Sequence, residues 1–248
     1  MNFDTLNLKK LIATGYRKNS RGIKLVYDSD HKDANVEELE GDGDFRSEEC
    51  VKLLDEADVV VSNPPFSLFR PYVAQLVKCD KKFLIIGNMN AITYKEIFPL
   101  IKDGKLWMGY GFNGNNAYFD VPKDFDYSGY CAGAITEDGR LHFRNVRWFT
   151  NMDHNKRHEK LVLTGKYSSE KYLKYDNYDA INVDKVNDIP VDYSGIMGVP
   201  MSILDNFCPE QFEIVGELKN GSDNEWDYAK PMIEGKVKYA RILIKRRA

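Results

Sequence analysis

The sequence predicts an α/β protein, a mixed sheet with helices on both faces. Three observations predict it. Strand-like and helix-like segments alternate through the first half of the chain, which argues for parallel strands covered by helices. Two short runs, Val59 to Val61 and Phe83 to Gly87, carry no polar side chain, as expected of strands buried on both faces. Beyond Gly104, strand-like segments separated by Gly, Asn and Asp suit an antiparallel edge on the same sheet.

Taken in order, Lys9 to Thr14 and Gly22 to Tyr27 read as short strands, the second running into the polar stretch Asp28 to Asp33. Ser47 to Glu56 reads as a helix, with the Ser47 hydroxyl as N-cap and Val51, Leu53 and Leu54 apolar. Val59 to Ser62 is a strand and Leu68 to Val77 a helix. Phe83 to Gly87 is again a strand, and Thr93 to Ile101 a helix. Leu106 to Phe112, Asn116 to Val121, Gly139 to Phe143 and Arg147 to Thr150 read as strands. Asn151 to Tyr193 is polar, tyrosine-rich and locally basic. Gln211 to Glu217 and Lys236 to Ile244 are strand-like, joined by the turn-forming Lys219-Asn-Gly-Ser-Asp-Asn224.

Composition narrows the function classes. The 248 residues suffice for one large domain or a core with an appendage, and 43% hydrophobic with 29% charged residues is an ordinary globular balance. No apolar run approaches the roughly 20 residues of a membrane span, and the start lacks a signal core, so a cytoplasmic protein is expected. Cys50, Cys79, Cys131 and Cys208 lack any Cys-x-x-Cys spacing and are expected as reduced thiols. His154 and His158 stand four apart among Asp153, Lys156 and Arg157; a solvated surface, with no metal, is expected there. A formal net charge of −3 means that any nucleic-acid contact needs a local basic patch. Gly109, Gly111 and Gly114 match a dinucleotide fingerprint by letter, but a strand-like run follows where a helix is required, so a loop is expected.

The chemically pointed stretch is Asp58-Val-Val-Val-Ser-Asn-Pro-Pro-Phe66. Two consecutive prolines donate no backbone N–H, so they end the strand and stiffen the corner after it. The Asn63 amide, the Pro64 carbonyl and the Phe66 ring are thereby held at the carboxyl end of a strand, where ligands of open α/β sheets bind. Paired acceptors beside a flat ring suit an exocyclic amino group on a planar heterocycle. The plain alternative is a strand cap with Phe66 plugging the core.

Asn63-Pro-Pro-Phe66 after such a strand resembles the signature of amino-group methyltransferases that use S-adenosylmethionine. The chain is similar in particular to adenine-specific DNA methyltransferases of the EcoRI modification methylase kind. Leu8 to Thr14, Glu40 to Ser47, Phe83 to Ile92, Phe207 to Gly216 and Tyr239 to Ile244 share in that resemblance. It implies a Rossmann-like fold, S-adenosylmethionine as cofactor and transfer of a methyl group to adenine N6 in duplex DNA, the adenine being flipped out. It assigns the catalytic positions to Asn63, Pro64, Pro65 and Phe66, and the cofactor's adenine to Asp44 and Phe45; for Gly41-Asp-Gly-Asp44 the plain alternative is an acidic turn. Lys156, Arg157, Lys160 and Lys166, interleaved with Tyr167, Tyr172 and Tyr175, are the candidate DNA contacts, a solvated face being the alternative. The terminal Lys245-Arg-Arg247 reads as a charged tail.

Against the family pattern, the strand that precedes Lys9 to Thr14 is absent, and Thr14-Gly-Tyr16 stands where an acidic residue for the ribose is expected. The expected organisation is therefore an N-terminally incomplete methyltransferase core over 1–150, a target-recognition region over 151–205, and C-terminal strands over 206–248 that pack back on the core. A separate N-terminal polypeptide or self-association would complete the sheet. The alternatives to DNA methylation are an inactive DNA- or protein-binding remnant, and methylation of a different amino or amide group.

Overall fold

The computed structural model describes residues 8–30, 33–110, 116–122, 124–128, 134–219 and 230–247. The chain divides into two compact units, Met1–Val60 with Lys78–Lys81, and Val61–Val77 with Lys82–Ala248.

In the first unit, strands β1 (Lys10–Gly15), β2 (Ile23–Asp28) and β3 (Asp33–Glu38) form an antiparallel meander in the order β1–β2–β3. The strand–helix alternation predicted parallel strands here. The links between these strands are too short to carry a crossover helix, so hairpin pairing results. The meander leads to α1 (Glu48–Glu56), where the Ser47 hydroxyl accepts from the Cys50 amide at 3.2 Å, as the sequence predicted. Glu49 folds back to accept from the Glu40 amide at 2.9 Å, tying the first turn of α1 to the loop that precedes it.

In the second unit, β4 (Val59–Ser62, entering from the first unit), α2 (Phe69–Lys78) and β5 (Lys82–Asn88) follow one another. The predicted helix over 93–101 splits. A 3-10 turn over Met89–Thr93 is capped by the Asn88 side chain, and α3 is confined to Phe98–Lys102, where Pro99 starts a helix readily. Next come β6 (Trp107–Met108), β7 (Asn116–Phe119), β8 (Leu141–Arg144) and β9 (Val146–Thr150). β4, β5, β9 and β6 make one sheet in that order, with β9 antiparallel to both neighbours, the antiparallel edge that the sequence predicted. Strands β7 and β8 pair separately as a hairpin.

A second four-stranded sheet follows, built from β10 (Ile181–Asn182), β11 (Met197–Pro200), β12 (Phe212–Leu218) and β15 (Arg241–Arg246) in the order β10–β11–β15–β12. It draws strands from both the 151–205 and the 206–248 segments. The small hairpin of β13 (Met232–Ile233) and β14 (Lys236–Val237) turns through Glu234 and Gly235, both at positive φ. The Asp176 carboxylate accepts from both of their amides, at 3.0 and 2.8 Å, which offsets the strain at Glu234.

The core of the second unit runs through Phe69, Phe83, Ile85, Phe98, Phe149, Ile181, Phe212 and Leu243, all fully buried. No described helix is long and apolar enough to cross a membrane.

Candidate active site

Local contacts fix the sense of β4 and β5. Lys81, just before β5, donates to the Ala57 carbonyl, just before β4, at 3.1 Å. At the other end, Phe69 at the start of α2 lies over Gly87 near the end of β5, and a Cβ on Gly87 would sit 2.4 Å from the Phe69 ring. The two strands therefore run the same way, and the Asn63–Phe66 corner shares the C-terminal end of the sheet with Asn88.

That corner is anchored from behind and open in front. Pro65 opens a 3-10 turn over Phe66–Leu68, its carbonyl accepting from Leu68 at 2.8 Å. Pro64 and Phe69 are buried, the Phe69 ring meeting Phe149 edge-on at 4.9 Å. Asn63 and Pro65 are exposed, and Phe66 keeps 43% of its surface in solvent. A ring that plugged the core would be covered; this one is presented. The Asn63 side chain has no hydrogen-bond partner among the described residues.

Sequence reasoning passed over the neighbours of this corner. Asn88 and Asn90 stand at the same end of the sheet, with Asn88 accepting from the Asn90 amide at 2.9 Å. Arg70, in the first turn of α2, lies over the Tyr94 ring at 5.4 Å and pairs with Glu96 at 3.7 Å. Lys219 donates to the Thr93 carbonyl and pairs with the buried Glu217 at 2.8 Å, fastening the turn that carries Asn90 to β12. The available signal was positional: a second apolar strand ending in Asn88.

In the first unit, Gly41 to Asp44 is a strapped loop, not a loose acidic turn. The Gly22 amide donates to the Gly41 carbonyl at 2.8 Å, and Arg17 to the Asp42 carbonyl at 2.9 Å. Gly43, at φ +86°, passes so close to the Gly15 carbonyl that a Cβ would stand 2.9 Å from its oxygen. Asp44 accepts from the amide and Nε of Arg46, both at 2.9 Å, and from its Nη2 at 2.6 Å. These bonds lower the Asp44 pKa to about 2, so the carboxylate stays ionised through the physiological range. The Arg46 guanidinium lies 5.3 Å from the centre of the half-buried Phe45 ring.

The four predicted DNA contacts separate. Lys156 and Arg157 sit on a 3-10 turn over Asn155–His158, which follows Thr150, and Thr150 pairs with Leu84 at the start of β5. That is the opposite end of the sheet from Asn63, about 13 Å of strand away along Leu84–Asn88. Lys160 and Lys166 are exposed further along. Of the interleaved tyrosines, Tyr172 and Tyr175 are core residues, 2% and 5% exposed, a correction to their expected role. Their hydroxyls donate inward, Tyr172 to the Asp188 carbonyl at 2.7 Å and Tyr175 to Asn182 at 2.9 Å. Gly111, Gly114 and Cys131 lie outside the described residues, as does Asn220–Asn224 of the predicted turn.

The two histidines are engaged apart. His154 meets the Met108 carbonyl through Nε2 at 2.9 Å, whereas His158 bridges Glu210 and Asp153 at 2.8 and 2.9 Å. Hydrogen bonds to the Asp153 carboxylate first, then to Glu210, raise the His158 pKa above its ordinary 6.5. A raised folded-state value means that the contribution is fully present below pH 6.5 and is lost as pH climbs through the folded pKa. The stability gap between wild type and His158→Gln should thus narrow as pH rises from about 6, measured by urea denaturation at successive pH values. A gap that widens with pH would contradict the bridge. Among the described residues, no group of three or more His, Cys, Asp or Glu side chains is gathered to hold a metal ion.

Comparison with known proteins covers the whole chain. The family described as adenine-specific methyltransferase EcoRI matches residues 1–247. The type II methyltransferase M.EcoRI of Escherichia coli is 46% identical over 270 aligned residues, spanning 100% of this chain and 80% of that protein. The type II methyltransferases M.MgeORF184P of Mycoplasma genitalium and M.MpnI of Mycoplasma pneumoniae are each 35% identical, spanning 99% of this chain and 81% of theirs. No solved structure matches.

Proposed function

We propose a catalytic chemistry from the premise that this chain belongs to the adenine-specific methyltransferase EcoRI family and is a DNA methyltransferase. The reaction is transfer of a methyl group from S-adenosylmethionine to adenine N6 in duplex DNA, with the target adenine drawn out of the stack. The observation that carries this reading is the Asn63–Phe66 corner, rigid behind and exposed in front at the C-terminal end of β4.

The amino nitrogen of adenine is a weak nucleophile because its lone pair is delocalised into the ring. The Asn63 side-chain oxygen and the Pro64 carbonyl accept its two hydrogens, favour a pyramidal nitrogen and offset the positive charge that develops there. The exposed face of Phe66 replaces the stacking that the extruded base leaves behind. When bound, the cofactor supplies an already activated sulfonium methyl, so alignment is a large share of what the protein contributes. The Asp44–Phe45 loop fits the cofactor's adenine: an ionised carboxylate has lone pairs beyond those Arg46 uses, and an aromatic face lies beside it. Lys160 and Lys166, exposed on one segment, supply phosphate contacts.

Purified protein incubated with S-adenosylmethionine and mixed-sequence duplex DNA should yield N6-methyladenine on digestion and mass analysis. Methylation at another position, or none at saturating cofactor, would overturn the reading. In the same assay series, Phe66→Ala should weaken capture of a flipped 2-aminopurine by about 1–3 kcal/mol, the worth of one base–aromatic stack. Unchanged 2-aminopurine fluorescence in that variant would remove Phe66 from the site.

A further inference from the structure

The geometry points to a second contact for nucleic acid: a cleft at the far end of the β4–β5–β9–β6 sheet that takes a backbone phosphate, apart from the Asn63 corner. The inference rests on the DNA-methyltransferase reading and deepens it.

The cleft holds about 170 Å³, open at its mouth, between the end of α3, β6, the 155–158 turn and the 204–214 segment. Its floor is apolar, including Trp107, Leu204 and Phe212, and four cationic side chains line it: Lys102, Lys156, Arg157 and Arg247. Three acidic residues, Asp103, Asp205 and Glu213, also line it, but the Asp205 carboxylate is taken by Arg147 through bonds of 2.7 and 3.0 Å. Arg157 pairs with Asp153 at 3.4 Å, so the lining keeps a small local excess of positive charge in a chain of net charge −3, which is the sign that phosphate binding needs.

The cations are pre-arranged. The Arg157 guanidinium lies 3.8 Å from the Trp107 ring centre, which holds the fork flat. The Lys156 ammonium lies 5.8 Å from the ring of Tyr110, which is 75% exposed. Arg247 spends Nε on the Pro209 carbonyl at 2.7 Å, which orients the rest of its guanidinium. His154 contributes a polar atom with no partner among the described residues: Nδ1 is shut from solvent while Nε2 faces the Met108 carbonyl.

Phosphate esters come from a strand or from a free nucleotide. The strand is favoured because the basic character does not stop at the cleft. Lys160 and Lys166 continue it as exposed side chains along the segment that leaves the 155–158 turn, as a polymer backbone requires and a single nucleotide does not.

The test uses the full chain, without cofactor, and a fluorescently labelled oligothymidylate, which offers Asn63 no adenine. Lys156→Gln and Arg247→Gln should each weaken its binding 3- to 10-fold at low salt. Each should also reduce the slope of log K against log salt by about 0.7. Arg247→Lys should restore the slope. Unaltered affinity and slope in both Gln variants would overturn the inference. So would AMP binding as tightly as the oligomer, which would assign the cleft to a free nucleotide. Among the described residues the Lys156 side chain makes only its ring contact with Tyr110, so its variant reports on binding even if Arg247→Gln disturbs the fold. Methyl transfer does not enter this measurement. A chain that binds as expected but does not methylate loses the catalytic reading and keeps the cleft, and the reverse result loses the cleft alone.

Discussion

Replacing Asn63 with alanine is expected to lower methyl transfer about 10²–10³-fold, the usual worth of one pre-organised polar group at a developing charge. The affinity for duplex DNA should change far less. Asn63 lies at the open side of a corner whose fixed side is Pro64, Phe69 and Gly87, and no described residue hydrogen-bonds its side chain. Truncating it therefore removes an acceptor without leaving a buried partner unsatisfied. In the proposed chemistry the acceptor matters most when the amino nitrogen acquires positive charge, so the loss should fall on kcat and not on ground-state binding. Single-turnover transfer measured beside duplex affinity separates the two. A matched decline in both, with a lowered unfolding midpoint, would show that Asn63 supports the fold instead.

The corner was legible in the sequence because it is written in residues with few conformational options. An apolar run ended by two prolines has one reading, and the structure gives β4 the predicted bounds Val59–Ser62. Ser47 at the start of α1 was legible for the same reason: a hydroxyl before a helical run caps it. Strand β3 was not. Its sequence, Asp-Ala-Asn-Val-Glu-Glu, has little apolar content, and Val36 is 66% exposed, so no burial pattern betrays it. Register and sense were also hidden. The hairpin pairing of β1, β2 and β3 depends on link length, whereas the alternation in the sequence suggested crossovers.

The basic, tyrosine-rich segment misled for a different reason. Tyr172 and Tyr175 look like surface rings among lysines, yet both hydroxyls find acceptors within the protein, which lets a tyrosine serve as core. Gly198 lies beneath the Tyr175 ring, where a Cβ would stand 2.3 Å from the hydroxyl oxygen. The lysines around them pair locally, Lys171 with Asp188 at 3.2 Å and Lys174 with Asp179 at 3.0 Å. Sequence spacing shows which charges are near one another along the chain. It does not show that Lys156 and Arg157 gather with Lys102 and Arg247 around Trp107, since that depends on how α3, β6 and the last strand meet.

Arg147→Met is expected to destabilise the protein by about 1.5–3 kcal/mol, the worth of hydrogen bonds to a charged group, since the Asp205 carboxylate left behind is only half-buried. The Arg147 side chain, 4% exposed on β9, grips Asp205 through two bonds of 2.7 and 3.0 Å, and its Nη1 donates to the Val146 carbonyl at 2.9 Å. Asp205 belongs to the 3-10 turn over Met201–Asn206, so the pair joins the β4–β5–β9–β6 sheet to the segment that enters β12. The site should feel the loss, because Arg147 pairs directly with Gly87, the residue against which Phe69 anchors the Asn63 corner. Removing both charges tests the assignment. In Arg147→Met with Asp205→Leu, no carboxylate is left uncompensated, and apolar replacement of a buried pair is often neutral or stabilising. The double variant should therefore recover most of the stability lost in the single one, as read from urea midpoints at constant slope. If Asp205→Leu adds its own full penalty instead, the two residues act independently and the sheet is held to that segment by packing alone.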